Sequence, residues 1–218
     1  MKLTKFAQSC IMIESGGQKI LIDPGAIALD DKTIQEWMHP DFILITHKHF
    51  DHFDEIAIKK ISSNKTIIYA SSETAQEYLN TKFQIIKEGD KLNLGKAKVE
   101  VVKAVHGHHA LMPKGKEVLQ AIGYILEIEG KKIYHTGDTI SFPNDYKCNI
   151  IFVPFNNHGV CMSPFEAALF AKETGAELVI PIHFDNDKLP ADKEKFKIEL
   201  EKNKLKFKFL EIGESIEI

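Results

Sequence analysis

DFILITHKHFDHFDE, residues 41–55, is the stretch that decides how this chain is read. An apolar, largely β-branched run, residues 42–46, leads straight into His47, His49, Asp51 and His52. The run has the composition of a buried strand. The spacing after it is HxHxDH. Neutral imidazoles and carboxylates are the donors that borderline divalent metals take. Four of them crowded past one strand end can converge on one ion or divide between two adjacent ions. A single histidine here would read as a surface loop residue. The whole set, on a loop held by a rigid element, points to chemistry.

Three later runs repeat the arrangement. VVKAVHGHH places His106 at the end of an apolar segment, KKIYHTGDT places Asp138 in a glycine-containing turn, and LVIPIHFD places His183 after a third run. Each alone is more often a hydrogen-bonded loop residue. Their shared position past strand-like runs is what carries weight.

Around these sites the pattern is β-rich. LTKFAQSCIMIES, KILID and FILIT read as strands, with Gly16-Gly17 as the turn between the first two. EIAIKKIS and SETAQEYLNT read as short helices on either side of the apolar strand KTIIYA, the second helix capped by Ser71 or Ser72. KLNLGKAKVEVVKAV and AIGYILEIEGKKIYHTGD alternate as paired strands joined at glycines, and IIFVPF and LVIPIHF read as buried strands. Between those two, SPFEAALFAKETGA carries a capping box: Ser163 as N-cap, Pro164 at the first position and Glu166 three residues on. A charged helix, ADKEKFKIELEKNK, follows, with Phe196 and Leu200 as its buried stripe, and KFKFLEIGESIEI closes the chain as a hairpin or edge strand. Too many strands follow one another directly for simple βαβ alternation. Two sheets packed face to face, with helices outside, satisfy the order.

HxHxDH, then an isolated histidine, a GD and a late strand-end histidine, resembles the metallo-β-lactamase superfamily, in an order that runs from ILIDPG to VIPIH. The resemblance implies an α/β fold, a four-layered αββα sandwich with the metals at one edge of the sheets, over a single domain at 1–218. It implies that His47, His49 and His106 hold one metal, that Asp51, His52 and His183 hold a second, and that Asp138 bridges them. His108 and His109 leave the third position of the first triad open; His106 is preferred because it directly ends VVKAV. Asp23, in LIDPG, matches a family aspartate beneath the metal loop and is read as support or as a turn former, not as a ligand. SCIMIESGGQKILIDPG, VPFNNHGVCMSPFEAALFAKETGAELVIPIHF and the small size resemble the branch containing ascorbate-6-phosphate lactonase and other metal-dependent hydrolases. The superfamily's oxygen-reducing diiron flavoproteins usually have Glu where this chain has His49, which argues against a redox role.

The implied activity is metal-dependent hydrolysis of an ester, lactone or phosphodiester of a small molecule. It uses two divalent ions, zinc first and manganese or iron as alternatives, with a bridging hydroxide as nucleophile. Asp51 and His158 are the expected catalytic residues, Asp51 orienting the nucleophile. Asn156, Asn157 and His158, with Phe155, are expected to shape the pocket, the three polar residues either hydrogen-bonding substrate or a leaving group or else forming a turn. The competing readings are a nuclease or phospholipase-like phosphodiesterase, and a non-catalytic metal- or metabolite-binding module.

Composition narrows the partners. All 28 cationic residues are lysines, and the net charge is −3. With no arginine there is no planar fork for a phosphate, and with no basic excess there is no footprint for nucleic acid or an acidic membrane. The three cysteines are scattered with no CxxC, which fits a reducing compartment. The apolar stretch near the start is short and interrupted, unlike a signal peptide. A cytoplasmic enzyme acting on a small molecule, without nucleic acid or membrane, is the expectation. The sequence leaves the oligomeric state open.

Overall fold

The first hairpin fixes the register of the sheet that carries the HxHxDH loop. Strand β1 (Lys2–Lys5) pairs antiparallel with β2 (Ile11–Ser15), which pairs antiparallel with β3 (Gln18–Ile22). In this computed structural model, which describes residues 1–108, 116–156, 159–186 and 190–218, Ser15 faces Gln18 across a two-residue turn. Gly16 and Gly17 have φ of 53° and 82°. Both lie in the left-handed region that such a turn demands and that glycine enters without steric cost. LTKFAQSCIMIES, expected as one strand, is two. The chain breaks at residues 6–10, where the Phe6 N–H donates to Cys10 O at 2.8 Å. No glycine, proline or asparagine marks that break.

Helix α1 (Asp31–Trp37), which the sequence reading did not anticipate, is capped by Asp30, whose side chain accepts from the Thr33 N–H. Then come β4 (Phe42–Leu44), α2 (Glu55–Ile61), β5 (Ile67–Ala70), α3 (Ser72–Glu77) and β6 (Gln84–Ile85). Ser71 is the cap of α3. The second half supplies β7 (Lys91–Leu94), β8 (Ala97–Lys103), β9 (Ile122–Ile128), β10 (Lys131–His135) and β11 (Ile150–Pro154). It continues through α4 (Pro164–Glu173), with the capping box formed as expected, to β12 (Leu178–Ile182), α5 (Lys193–Lys202) and β13 (Ser215–Glu217). One sheet has the order β13-β1-β2-β3-β4-β5-β6 and the other β12-β11-β10-β9-β8-β7.

Three cores hold four layers together. Between the sheets, Ile20, Ile22 and Leu44 belong to one cluster with Tyr124, Leu126, Phe152 and Ile180. Outside the first sheet, Trp37 of α1 and Ile58 and Ile61 of α2 cluster with Ile43 and Phe6. Outside the second, Phe170 of α4 and Phe196 and Leu200 of α5 cluster with Ile151 and Val179. Fully burying a side chain of this size contributes about 1.5–3 kcal/mol. The architecture is an αββα sandwich. No helix among the described residues is long and apolar enough to cross a membrane.

The topology sets where chemistry can sit. β4 runs parallel to β3 and β5, and β10, β11 and β12 run parallel to one another. The residues following β4, β8, β10 and β12 all leave the carboxyl ends of their strands, where open α/β sheets present ligand sites. The loop after β4 is seated on Gly25. A Cβ there would lie 1.9 Å from the carbonyl oxygen of Asp51. Gly25→Ala therefore has to push the HxHxDH loop outward, an overpacking that typically costs about 1–3 kcal/mol. At about 2–4 °C per kcal/mol for a domain of this size, a lowered melting temperature is expected in a thermal scan. An unchanged one would show that the loop yields freely.

Candidate metal centre

His47 and His52 are fully buried, and His49 and Asp51 lie half-buried between them. The loop turns tightly: the N–H groups of His52 and Phe53 both donate to His49 O at 3.0 Å. His106 follows β8, Asp138 follows β10 and His183 follows β12. The structure brings all seven together in three overlapping groups whose donor atoms lie within 4.8 Å of one another: His47, His49 and His106; His47, His52 and Asp138; Asp51, His52 and His183. His108 is exposed and outside these groups, and His109 lies outside the described residues.

The imidazoles are aimed. His52 Nδ1 donates to Asp23 Oδ2 at 2.8 Å, and His106 Nδ1 to Gly107 O at 2.7 Å. His49 Nε2 donates to Lys116 O at 3.0 Å. His47 Nδ1 donates to Thr46 Oγ1 at 3.1 Å, and that hydroxyl donates to Asp23 Oδ2 at 2.6 Å. In each of these rings one nitrogen is fixed by the protein and the other faces the cluster, the outer support that metal-binding histidines need. Among the described residues the Nε2 atom of His106 is buried with no hydrogen-bond partner. A buried acceptor without a partner costs free energy unless something completes it. The donor set therefore fits divalent metal.

The two sides of the cluster differ electrostatically. Burial, reinforced by neighbouring imidazoles, holds His47 well below the ordinary histidine value. Burial likewise pulls His106 down to about 4. Their lone pairs are free at neutral pH. On the other side burial also opposes charge, but the carboxylates win. Asp138, Asp51 and Asp23 hold His52 up at about 10, and Asp138 and Asp51 raise His183 well above its usual value. Reciprocally, Asp51 and Asp138 stay ionised against the penalty of burial because His52 and His183 face them. His183 Nε2 lies 2.9 Å from Asp138 Oδ2 and 3.4 Å from Asp51 Oδ2.

Several contributors escaped the sequence reading. Gln8 Nε2 lies 3.3 Å from both Asp51 Oδ2 and His183 Nε2. Ser9 Oγ donates to Asp138 Oδ1 at 3.5 Å. No local signal marks either residue, since both reach the site only through the pairing of β1 with β2. Phe155, expected to shape the pocket, is fully buried and packs on Phe196 at a ring distance of 4.3 Å. It faces α5 because β11 is covered on that side by helix. Asn156 is also buried, its Nδ2 donating to Cys161 Sγ at 2.9 Å. Asn157 and His158 lie outside the described residues. A cavity of about 880 Å³ opens instead beside His106, lined by Ile85, Ile86, Val105, Val118 and Ile122. Its wall at Leu119 and Gln120 is pinned by Glu73, whose Oε2 accepts both backbone N–H groups at 3.0 and 2.9 Å.

The family model described as the beta-lactamase superfamily domain matches residues 2–183. The chain belongs to that superfamily. A UPF0173 metal-dependent hydrolase of Listeria monocytogenes is 34% identical over 233 residues, covering 100% of each chain. One from Staphylococcus epidermidis is 31% identical over 236 residues, again covering 100% of both. Among solved structures, a metallo hydrolase of Ignicoccus hospitalis superposes with a TM-score of 0.79 at 24% identity, covering 99% of this chain and 97% of that one. That last likeness speaks for the fold. The protein is a metal-dependent hydrolase of the β-lactamase superfamily, and its candidate metal centre lies at the sheet edge described above.

The charge balance yields a test. Any ion taken by His52 and His183 must displace their protons, because metal binds the neutral imidazole. Loading should therefore release about two protons per chain at pH 7.5. Calorimetric titration with zinc in buffers of different ionisation enthalpy measures this. A binding enthalpy that is the same in every buffer would contradict the assignment.

Proposed function

We propose that this superfamily hydrolase uses two divalent ions, zinc first among them, to cleave an ester, lactone or phosphodiester bond of a small molecule. The observation that carries the reading is the donor set: two triads, His47/His49/His106 and Asp51/His52/His183, with Asp138 between them. In this reading His47, His49 and His106 hold the first ion, Asp51, His52 and His183 the second, and Asp138 both. Bound divalent metal supplies Lewis acidity, which acidifies water and stabilises the charge developing on the substrate oxygen.

The chain's own residues do the rest. Asp138 is 1% exposed and serves as a ligand only, whereas Asp51 keeps 14% of its side chain open. Asp51 orients the attacking water and takes its proton. The cavity beside His106 receives the body of the substrate. Its apolar wall, Ile85, Ile86, Val105, Val118 and Ile122, lies beside a charged rim of Lys87, Glu88, Asp90 and Lys103, and favours a substrate with an apolar portion next to the scissile group. Three other described lysines, around the metal centre, are themselves paired. Lys48 is paired with Glu73 at 3.0 Å, Lys116 with Glu77 at 2.8 Å, and Lys5 with Asp185. Cations neutralised in this way are poor clamps for a polyanion. The same reading treats residues 1–218 as one domain acting on a small molecule in the cytoplasm, without nucleic acid or membrane.

Two measurements test it. Elemental analysis after zinc or manganese reconstitution should give about two ions per chain, with Asp138→Ala weakening both sites and His47→Ala chiefly the first. Fewer than about half an ion per chain in the unmutated protein would overturn the centre, and full occupancy in Asp138→Ala would overturn the bridge. Parallel kinetics on lactones, p-nitrophenyl phosphodiesters and RNA or DNA oligomers should favour the small substrates. A preference for oligonucleotides that falls steeply with salt would promote the nuclease reading.

A further inference from the structure

Gln8 is 1% exposed and has a φ of 55°. Glycine and asparagine enter that left-handed region far more readily than glutamine. The backbone is forced there from both sides. The Gln8 N–H donates to Asp185 Oδ2 at 3.1 Å, and Gln8 O accepts from the His183 N–H at 3.0 Å. Asp185 is in turn held by the buried ammonium of Lys5. These anchors use backbone atoms only, so glycine or asparagine would satisfy them with less strain. What glutamine adds is reach. Its carboxamide spans from the β1–β2 break to the second triad, where Nε2 sits 3.3 Å from both Asp51 Oδ2 and His183 Nε2. The other end of the amide, Oε1, is buried with no hydrogen-bond partner among the described residues. A strained backbone and an unsatisfied buried carbonyl on one residue are two local costs that core packing does not explain.

We infer that Gln8 is a positioning residue for the second ion: its carboxamide donates to Asp51 and, wedged against His183, fixes the carboxylate and the imidazole in the geometry that binds metal. This rests on the two-ion reading above. It acts through Asp51 and His183, and removing it should loosen one site and leave the other alone. Gln8→Gly and Gln8→Asn separate this role from a structural one. Both relieve the left-handed strain, and neither reaches Asp51, since glycine has no side chain and asparagine is one methylene short.

The experiment compares unmutated protein with both variants by three readouts: zinc titration against a competing chelator, the visible spectrum on stepwise cobalt(II) addition, and the melting temperature without metal. The expected result is an unloaded melting temperature equal to or above that of the unmutated protein. The first zinc constant should stay unchanged, and the second should weaken about 10–100-fold, the usual effect of losing a residue that supports a ligand. The cobalt band of the second equivalent should shift while that of the first stays. Unmutated protein that binds only one ion overturns the two-ion reading and the role of Gln8 with it. Two ions in the unmutated protein and an unchanged second constant in the variants overturn the role of Gln8 alone. So does a parallel fall of both constants with the melting temperature, which would mark Gln8 as structural.

Discussion

The buried carboxylate of Asp23 is the constraint on which this edge of the molecule depends. It is fully buried and accepts from the Thr46 N–H at 2.8 Å, from Thr46 Oγ1 at 2.6 Å and from His52 Nδ1 at 2.8 Å. Those three bonds use most of the carboxylate's acceptor capacity, as a buried charge requires. They also fix geometry. The strand end at Thr46, the ring of His47 through the Thr46 hydroxyl, and the ring of His52 are all referred to one residue on the neighbouring strand's exit. The HxHxDH loop is thus braced from below before any ligand arrives.

Some of the backbone strain lies where that bracing is densest. Of the seven described non-glycine residues with positive φ, four (Ala28, His39, Glu129 and Lys204) lie elsewhere, and Gln8, Asp23 and His183, at 55°, 51° and 61°, lie here. None is glycine, and all three lie within the metal cluster or its supports. Such conformations persist only where surrounding contacts over-determine them, and here hydrogen bonds across the first sheet and onto the end of β12 do so. The cluster's charges follow the same logic. Asp51 and Asp138 can remain ionised at depth because His52 and His183 face them.

How much of this was legible in the chain depends on whether a feature is local. Strands, the Gly16-Gly17 turn and the capping box at Ser163 announce themselves through periodicity, positive-φ demand and fixed offsets, and they appear where expected. The seven candidate donors were visible because each stands in a loop that follows an apolar run. What could not be read is pairing between distant segments. The break at residues 6–10 carries ordinary residues, and its conformation is imposed by Cys10 and by the end of β12. Helix α1 has only a seven-residue pattern, with Trp37 and Ile34 as its buried side. Phe155 looked like a pocket residue because it follows a strand beside polar neighbours, and only the docking of α5 shows it to be core.

The donors come from both sheets. His47, His49, Asp51 and His52 leave β4, while His106, Asp138 and His183 leave β8, β10 and β12. Any ion gathered by these groups is therefore a cross-link between the two faces of the sandwich, joining segments far apart in the chain. Because the ion binds the closed arrangement and is lost from the open one, it stabilises the closed state by mass action. Loading then reports more than chemistry. It clasps the mouth of the sandwich and raises the cost of parting the two sheets at that end.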